Sequence, residues 1–527
     1  MILFTNGRIR TLNPRQPFAT AMAIANGRIL AIGTDDEIRS SFSSGLKEEN
    51  LAGRTVWPGM TDAHLHLDHF ARGLDYIECE TSTLEECIQR VADRCNRTPS
   101  REWVRGHGWN QNNWSQGFGT AELLDQVSSD HPVYLTAKSL HASWANSMVL
   151  QLAGITPTTP DPPGGRIGRD PQGNPNGILF ENAMLLVEKI IPELDPAHLV
   201  PLLKKAQTQL FSMGLTGVHD FDGINCFSAL QALDLADELK LRVVKSIPRQ
   251  FLPAASALKL RSGFGSQHLR IGSVKLFSDG ALGPRTAAML LPYQGETEYR
   301  GIPLLDSEEI YEIGRQAVDS GLSLSTHAIG DRANHEVING YAQIRGYERS
   351  INLPPARHRI EHVQIIHPDD LPRLSQLGIV ASMQPLHATS DWQIADRHWG
   401  DRSRNAYALK SIRLMGTFMA FGSDAPVESP NPFLGLHAAV TRTRTDGSPS
   451  IEGWYPQQKL NLTEALEGFT LGAAYAGHFE NEIGQLAPGF LADFVVLDQD
   501  PFEMPPTDLW RVSPSGVVVA GDWVWRS

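Results

Sequence analysis

Val56-Trp57-Pro58-Gly59-Met60-Thr61-Asp62-Ala63-His64-Leu65-His66 is a mostly apolar segment that runs into two histidines. Read as a strand over residues 56–64, it sends successive side chains to opposite faces, so His64 and His66 share one side. Seven later segments have the same texture: 217–220, 241–247, 272–277, 322–327, 359–363, 379–383 and 418–423. Helical stretches separate them, which implies βα units and a parallel sheet. Eight such strands close naturally into a (β/α)8, or TIM, barrel of the α/β class.

The flanks read differently. Residues 1–56 hold short alternating segments with an Asn26-Gly27 hairpin signal, and residues 483–527 repeat that texture. Neither end is long enough to bury a core alone. The two are expected to pair into one composite β-sandwich flanking a barrel over 57–482. A Trp-, Asn-, Gly- and Pro-rich insertion at about 70–185 follows the first barrel strand. Its place after a strand makes it a candidate lid on the catalytic face.

The 527 residues carry 46 Lys+Arg against 59 Asp+Glu, a formal charge of −13. Hydrophobic residues are 41 % and charged residues 20 %, an ordinary globular composition. The acidic balance argues against a nucleic-acid partner. Cys79, Cys87, Cys95 and Cys226 lack Cys-x-x-Cys spacing and read as reduced, partly buried thiols. No signal peptide and no apolar run long enough for a membrane span are evident, so a cytoplasmic protein without a membrane partner is expected. A homodimer stays open, with Trp523-Val524-Trp525 either packed in the sandwich or forming a dimer edge.

The strand ends carry the chemistry. The first ends in His64 and His66, the fourth holds Lys275, the fifth and sixth end in His327 and His362, and Asp424 follows the eighth. Singly, each has an ordinary reading as a rim lysine, a structural histidine or a helix cap. Jointly they place metal-competent groups on the face where barrel enzymes react. Imidazole nitrogen and carboxylate oxygen suit Zn2+ and related ions, and this donor set leaves coordination positions open, as catalytic sites require. Hydroxide generated on a divalent metal is available near neutral pH, and a carboxylate such as Asp424 can move the proton to a leaving nitrogen. An ammonium at Lys275 conflicts with dications. The conflict is removed if burial neutralises it, or if CO2 converts it to a carbamate that bridges two ions.

The stretch Trp57 to His66 resembles the first-strand signature of the amidohydrolase superfamily. The narrower resemblance is to amidohydrolase family 3, the branch of N-substituted formamide deformylase-like proteins. It is carried by Gly106-His107-Gly108-Trp109-Asn110, Val274-Lys275-Leu276-Phe277-Ser278-Asp279-Gly280, His327-Ala328-Ile329-Gly330-Asp331 and Arg359-Ile360-Glu361-His362. Met383-Gln384-Pro385-Leu386-His387, Gly422-Ser423-Asp424-Ala425-Pro426-Val427 and the closing residues 484–493 complete it. The resemblance implies His64, His66 and Asp424 on a more buried metal, with Asp424 also the proton shuttle. It implies His327 and His362 on a second metal, with Lys275 as the bridging carbamate. One-ion branches exist, and there Lys275 need not be modified. The expected cofactor is one or two divalent ions, with Zn2+ first in line.

Trp109, His141, Asp279, Arg285, Gln384 and His387 are candidates for holding a small-molecule substrate. Arg285 is placed to pair with a substrate carboxylate or with Asp279. Ser139-Leu140 precedes His141 where many relatives have Asp-Gly or Ser-Gly, a departure at a substrate-contacting loop. Glu361 points the other way from His362 and reads as structural or supporting. The expected reaction is hydrolysis of a non-peptide C–N bond in an amide, N-formyl or N-acyl compound. The competing readings are a deaminase, which usually omits the lysine and places a Glu shortly after the fifth-strand His, where this chain has Asp331 nearby instead, and a non-catalytic regulator, which would have lost ligands.

Overall fold

A computed structural model describes residues 1–42, 47–111, 114–128, 130–137, 142–192 and 194–527. Two compact units divide the chain, one of residues 1–71 with 196–527 and the other of residues 72–195.

The first unit contains an eight-stranded sheet whose neighbours pair in parallel. Its strands are β1 (Met60–Leu65), β2 (Leu215–Asp220), β3 (Arg242–Pro248), β4 (Leu269–Phe277), β5 (Leu324–Ala328), β6 (Arg359–His362), β7 (Val380–Met383) and β8 (Met419–Phe421). Each of the eight segments read from the sequence contributes a strand to this one sheet, in chain order, the first of them only from Met60. Beyond β8 the chain returns to β1: Asp424 N donates to His64 O at 2.7 Å and His66 N to Ala425 O at 2.8 Å. Asp62 strengthens the seam, because its carboxylate accepts from Ser423 Oγ at 2.5 Å and from His64 N at 3.0 Å. The sheet is thus a nearly closed barrel.

The first strand is not continuous. Thr55–Pro58 is a separate strand that pairs with Arg8–Arg10 and Phe494–Leu497, and the barrel strand begins only at Met60. Gly59 is the joint. Its N–H donates to Asp493 O at 2.9 Å, and a Cβ there would lie 2.6 Å from Thr216 Cγ2. The chain changes sheets where only a hydrogen fits. Gly59→Ala is therefore expected to destabilise the protein by about 1–3 kcal/mol through overpacking. Urea unfolding of the variant beside the parent checks this, and an unchanged midpoint would contradict it.

Both chain ends contribute to a six-stranded sheet in the order Asp522–Arg526, Pro514–Val519, Phe494–Leu497, Thr55–Pro58, Arg8–Arg10, Phe18–Ala19. A four-stranded sheet holds Arg28–Gly33, Ala21–Ala25, Ile2–Thr5 and Lys47–Asn50. The alternating stretch at residues 2–10 is divided between these sheets at Asn6, whose φ of 54° turns the chain. Phe4, Ile24 and Ile29 share one apolar core with Val56, Phe494 and Val518. Asn26 and Gly27 both have positive φ, as the hairpin signal requires.

The second unit has its own six-stranded sheet, running from Gly165–Arg169 through Pro175–Glu181, Ala142–Ala145, Val133–Ala137 and Val104–Trp109 to Ile77–Glu78. Its core includes Trp109, Trp114 and Trp144, together with Cys79, Cys87 and Cys95. All four cysteines are free and buried. Among the described residues, no helix is long and apolar enough to cross a membrane.

Candidate metal centre

The C-terminal ends of the barrel strands gather most of the expected ligands. His64 and His66 end β1, and each Nε2 lies 3.5 Å from Asp424 Oδ1. One donor atom from each of these three residues falls within 4.8 Å of the others. Asp424 holds its place with φ of 62°, a left-handed backbone that aspartate tolerates better than most residues.

Each histidine is fixed from behind. His64 Nδ1 donates to Glu361 Oε2 at 2.6 Å, and its ring stacks on Phe221 at 4.1 Å between centroids. Glu361 is buried and accepts from Arg359 Nε at 2.5 Å and Ser325 Oγ at 2.9 Å. Burial alone would raise the Glu361 pKa, but the Arg359 guanidinium and His64 hold it well below the usual range. Arg359 also reaches Ala63 O, Ser382 Oγ and His219 Nδ1, so a polar network fills the barrel beneath the site. His66 Nδ1 donates to Asp222 Oδ1 at 3.0 Å, and His69 Nδ1 meets the same oxygen at 3.0 Å. Lys245 bonds the Asp222 carbonyl and pairs with Asp220 at 2.7 Å.

His362 lies close by, its ring centroid 4.8 Å from that of His64 and 4.6 Å from that of His327. Its Nδ1 donates to Gln384 Oε1 at 2.9 Å. His327 spends Nε2 on Gly280 O at 2.9 Å. A second donor group within 4.8 Å is made by His362, His387 and Asp424, and His387 was expected only as a substrate contact. Lys275 Nζ sits 4.5 Å from the centre of the Phe221 ring and 4.9 Å from that of Phe277, and it makes no ion pair among the described residues.

The environment favours neutral imidazoles at His64, His327 and His362 and the charged form at His66. Burial, with Lys275 beside them, pushes His64 and His327 down to about 4. Burial and the neighbouring His327 hold His362 well below the ordinary histidine value. Burial also lowers Lys275 to about 8, against the pull of Glu361 and Asp424. For His66 burial is outweighed by Asp222 and Asp424, which raise it to about 10. Asp424 is held well below the carboxylate range despite burial, by His66, His64 and His362. An anion bracketed by imidazoles whose far nitrogens donate to buried oxygens is the donor chemistry that a divalent ion needs.

The remaining sequence candidates separate. Asp279 is buried and accepts from Ala288 N, Ile329 N and Gly330 N at 2.8–3.0 Å, which shapes the strand-end loops. Burial outweighs those amides and lifts its pKa to about 7. Arg285 pairs with Glu296 at 2.7 Å and not with Asp279. Gln384 and His387 are buried next to His362. Trp109 belongs to the second unit, where it is buried in that unit's core and donates to Leu135 O at 3.0 Å. His141 lies outside the described residues. Sequence reading missed Asp222 and Gln364, although Asp222 stands two residues beyond Asp220, at the end of a predicted strand.

Residues 47–525 match the amidohydrolase family. The chain is 32 % identical to Protein LONG AFTER FAR-RED 3 of Arabidopsis thaliana, over 95 % of this chain and 88 % of that protein. It is 29 % identical to an N-substituted formamide deformylase of Arthrobacter pascens, over 96 % of this chain and 95 % of that one. The crystal structure of an uncharacterized metal-dependent hydrolase from Pyrococcus furiosus superposes with a TM-score of 0.80, at 28 % identity over 95 % of this chain and 100 % of the other. With the strand-end histidines and Asp424 gathered on a barrel of this kind, this chain belongs to the amidohydrolase family of metal-dependent hydrolases.

Proposed function

We propose that the protein hydrolyses a C–N bond other than a peptide bond, in a small amide, N-formyl or N-acyl compound. The observation that carries this reading is the Asp424 carboxylate, 3.5 Å from the Nε2 atoms of both His64 and His66, each of which is anchored to a further carboxylate. The similarity to an N-substituted formamide deformylase supports the bond class.

We assign His64, His66 and Asp424 to a first divalent ion, Zn2+ in our reading, and His327 and His362 to a second, with a carbamylated Lys275 as the group that would bridge them. A bound divalent ion supplies Lewis acidity, which makes water a nucleophile near neutral pH and polarises a carbonyl. Asp424 takes a proton from the attacking water and delivers it to the leaving nitrogen. The water oxygen joins the carbonyl carbon, the C–N bond breaks, and an acid and an amine leave. Glu361 and Asp222 keep both imidazoles turned so that Nε2 faces Asp424. Asp331 accepts from Leu290 N at 2.7 Å, a structural role that weighs against the deaminase alternative. We further read residues 1–56 with 483–527 as a composite β-sandwich, and Arg285 as a substrate contact.

Turnover of a panel of N-alkylformamides and N-acylamines by metal-replete protein tests the reaction. Absence of any C–N cleavage at full metal occupancy would overturn it. Elemental analysis of the parent and Lys275→Ala tests the bridging group. Two ions per chain are expected in the parent and one or none in the variant, whereas one ion in both would make Lys275 an accessory residue.

A further inference from the structure

Three side chains around His362 and His387 carry buried polar atoms that nothing among the described residues satisfies. Gln364, Gln384 and His387 are 4 %, 2 % and 6 % exposed. Gln384 uses Oε1 to accept from His362 Nδ1, which leaves its Nε2 without a partner. Gln364 turns Nε2 toward His387 Nδ1 at 3.4 Å, which leaves its Oε1 and the His387 Nε2 without partners. With Gln364 Nε2 facing Nδ1, the assigned tautomer of His387 carries its hydrogen on Nε2. A ring nitrogen of His387 lies within 4.8 Å of the donor atoms of His362 and Asp424, so the group borders the metal centre.

Buried polar groups in native proteins are almost always paired, and an unpaired one calls for a partner such as a water, an ion or a ligand. The unmet demand here is two donors, Gln384 Nε2 and His387 Nε2, and one acceptor, Gln364 Oε1. We propose that these three residues form a subsite for the C=O and N–H of a secondary amide. The carbonyl oxygen takes the two donors, and the substrate N–H donates to Gln364 Oε1. His387 is then a catalytic residue that stabilises negative charge growing on the carbonyl oxygen, and it is not a metal ligand. The inference rests on the amide-hydrolysis reading above and narrows it. A tertiary amide or an ester has no N–H and leaves Gln364 Oε1 buried and unpaired, the arrangement by which a polar site rejects an analogue most strongly.

The test compares N-butylformamide, N-butyl-N-methylformamide and butyl formate as substrates of the metal-replete full chain. The parent is expected to prefer the secondary formamide over the tertiary one in kcat/KM by about 10- to 100-fold. Gln364→Leu is expected to erase most of that preference, and His387→Gln to lower kcat on N-butylformamide while keeping the parent's metal content per chain. Equal turnover of both formamides by the parent, which needs no variant to fold, overturns the subsite and leaves amide hydrolysis standing. So does a preference that survives Gln364→Leu. Loss of an ion in His387→Gln overturns the donor role. Failure of the parent to cleave either formamide or any other amide removes the hydrolase reading and this inference with it.

Discussion

Asp424→Asn is expected to lower kcat by about 10^2- to 10^4-fold, the range that a positioned acid–base group contributes. Asparagine keeps the size of the side chain and its place after β8, where Asp424 N donates to His64 O. It loses the charge that His66, His64 and His362 stabilise, and with it the capacity to take and return a proton. The substitution also weakens an expected metal ligand, so metal content is measured on the same preparation. With ions restored to the parent level, the loss should remain in kcat. An Asn variant with full metal and more than a tenth of the parental kcat would remove Asp424 as the proton carrier.

Glu361→Leu is expected to cost about 3–5 kcal/mol of stability, the penalty for leaving one member of a buried ion pair uncompensated. Arg359 and Glu361 are both buried, and the guanidinium bonds both carboxylate oxygens. Leucine removes the charge that holds Arg359 and the acceptor for His64 Nδ1. The double variant Arg359→Met/Glu361→Leu separates these effects. It should recover most of the stability, because no unpaired charge stays in the barrel, yet still bind metal about 10- to 100-fold more weakly, because His64 has lost the group that orients it. Denaturant unfolding and metal titration of both variants provide the check. A single variant within about 1 kcal/mol of the parent would show that the pair is not the keystone of the barrel interior.

Much of the site was legible along the chain. His64, His66, Lys275, His327, His362 and Asp424 stand at or near the ends of segments with strand texture, and parallel βα topology brings all such ends to one face. What was not legible was how each ring is turned. His327 and His362 look equivalent in sequence, since each ends a strand. In the fold, His327 Nε2 bonds Gly280 O, whereas His362 is held by Gln384 with His387 alongside. That difference depends on loops after β4 and β7, which no local pattern relates to one another. Asp279 shows the same thing: its motif reads as a site acid, but three backbone amides from two loops claim its carboxylate.

The strand boundaries divide in a similar way. Apolar periodicity located all eight barrel strands within a few residues, because a buried parallel strand needs a continuous apolar run wherever it sits. It did not reveal the break at Gly59, because two consecutive strands in different sheets have the same local texture as one long strand. Alternation and residue type by themselves determined the α/β barrel and the inventory of reactive groups, since both follow from neighbours in the chain. The partners of each imidazole, the Arg359–Glu361 pair and the unpaired atoms of Gln364, Gln384 and His387 were decided only by tertiary structure. Hydrogen bonds reach about 3 Å, and the chain separations they span here run to hundreds of residues.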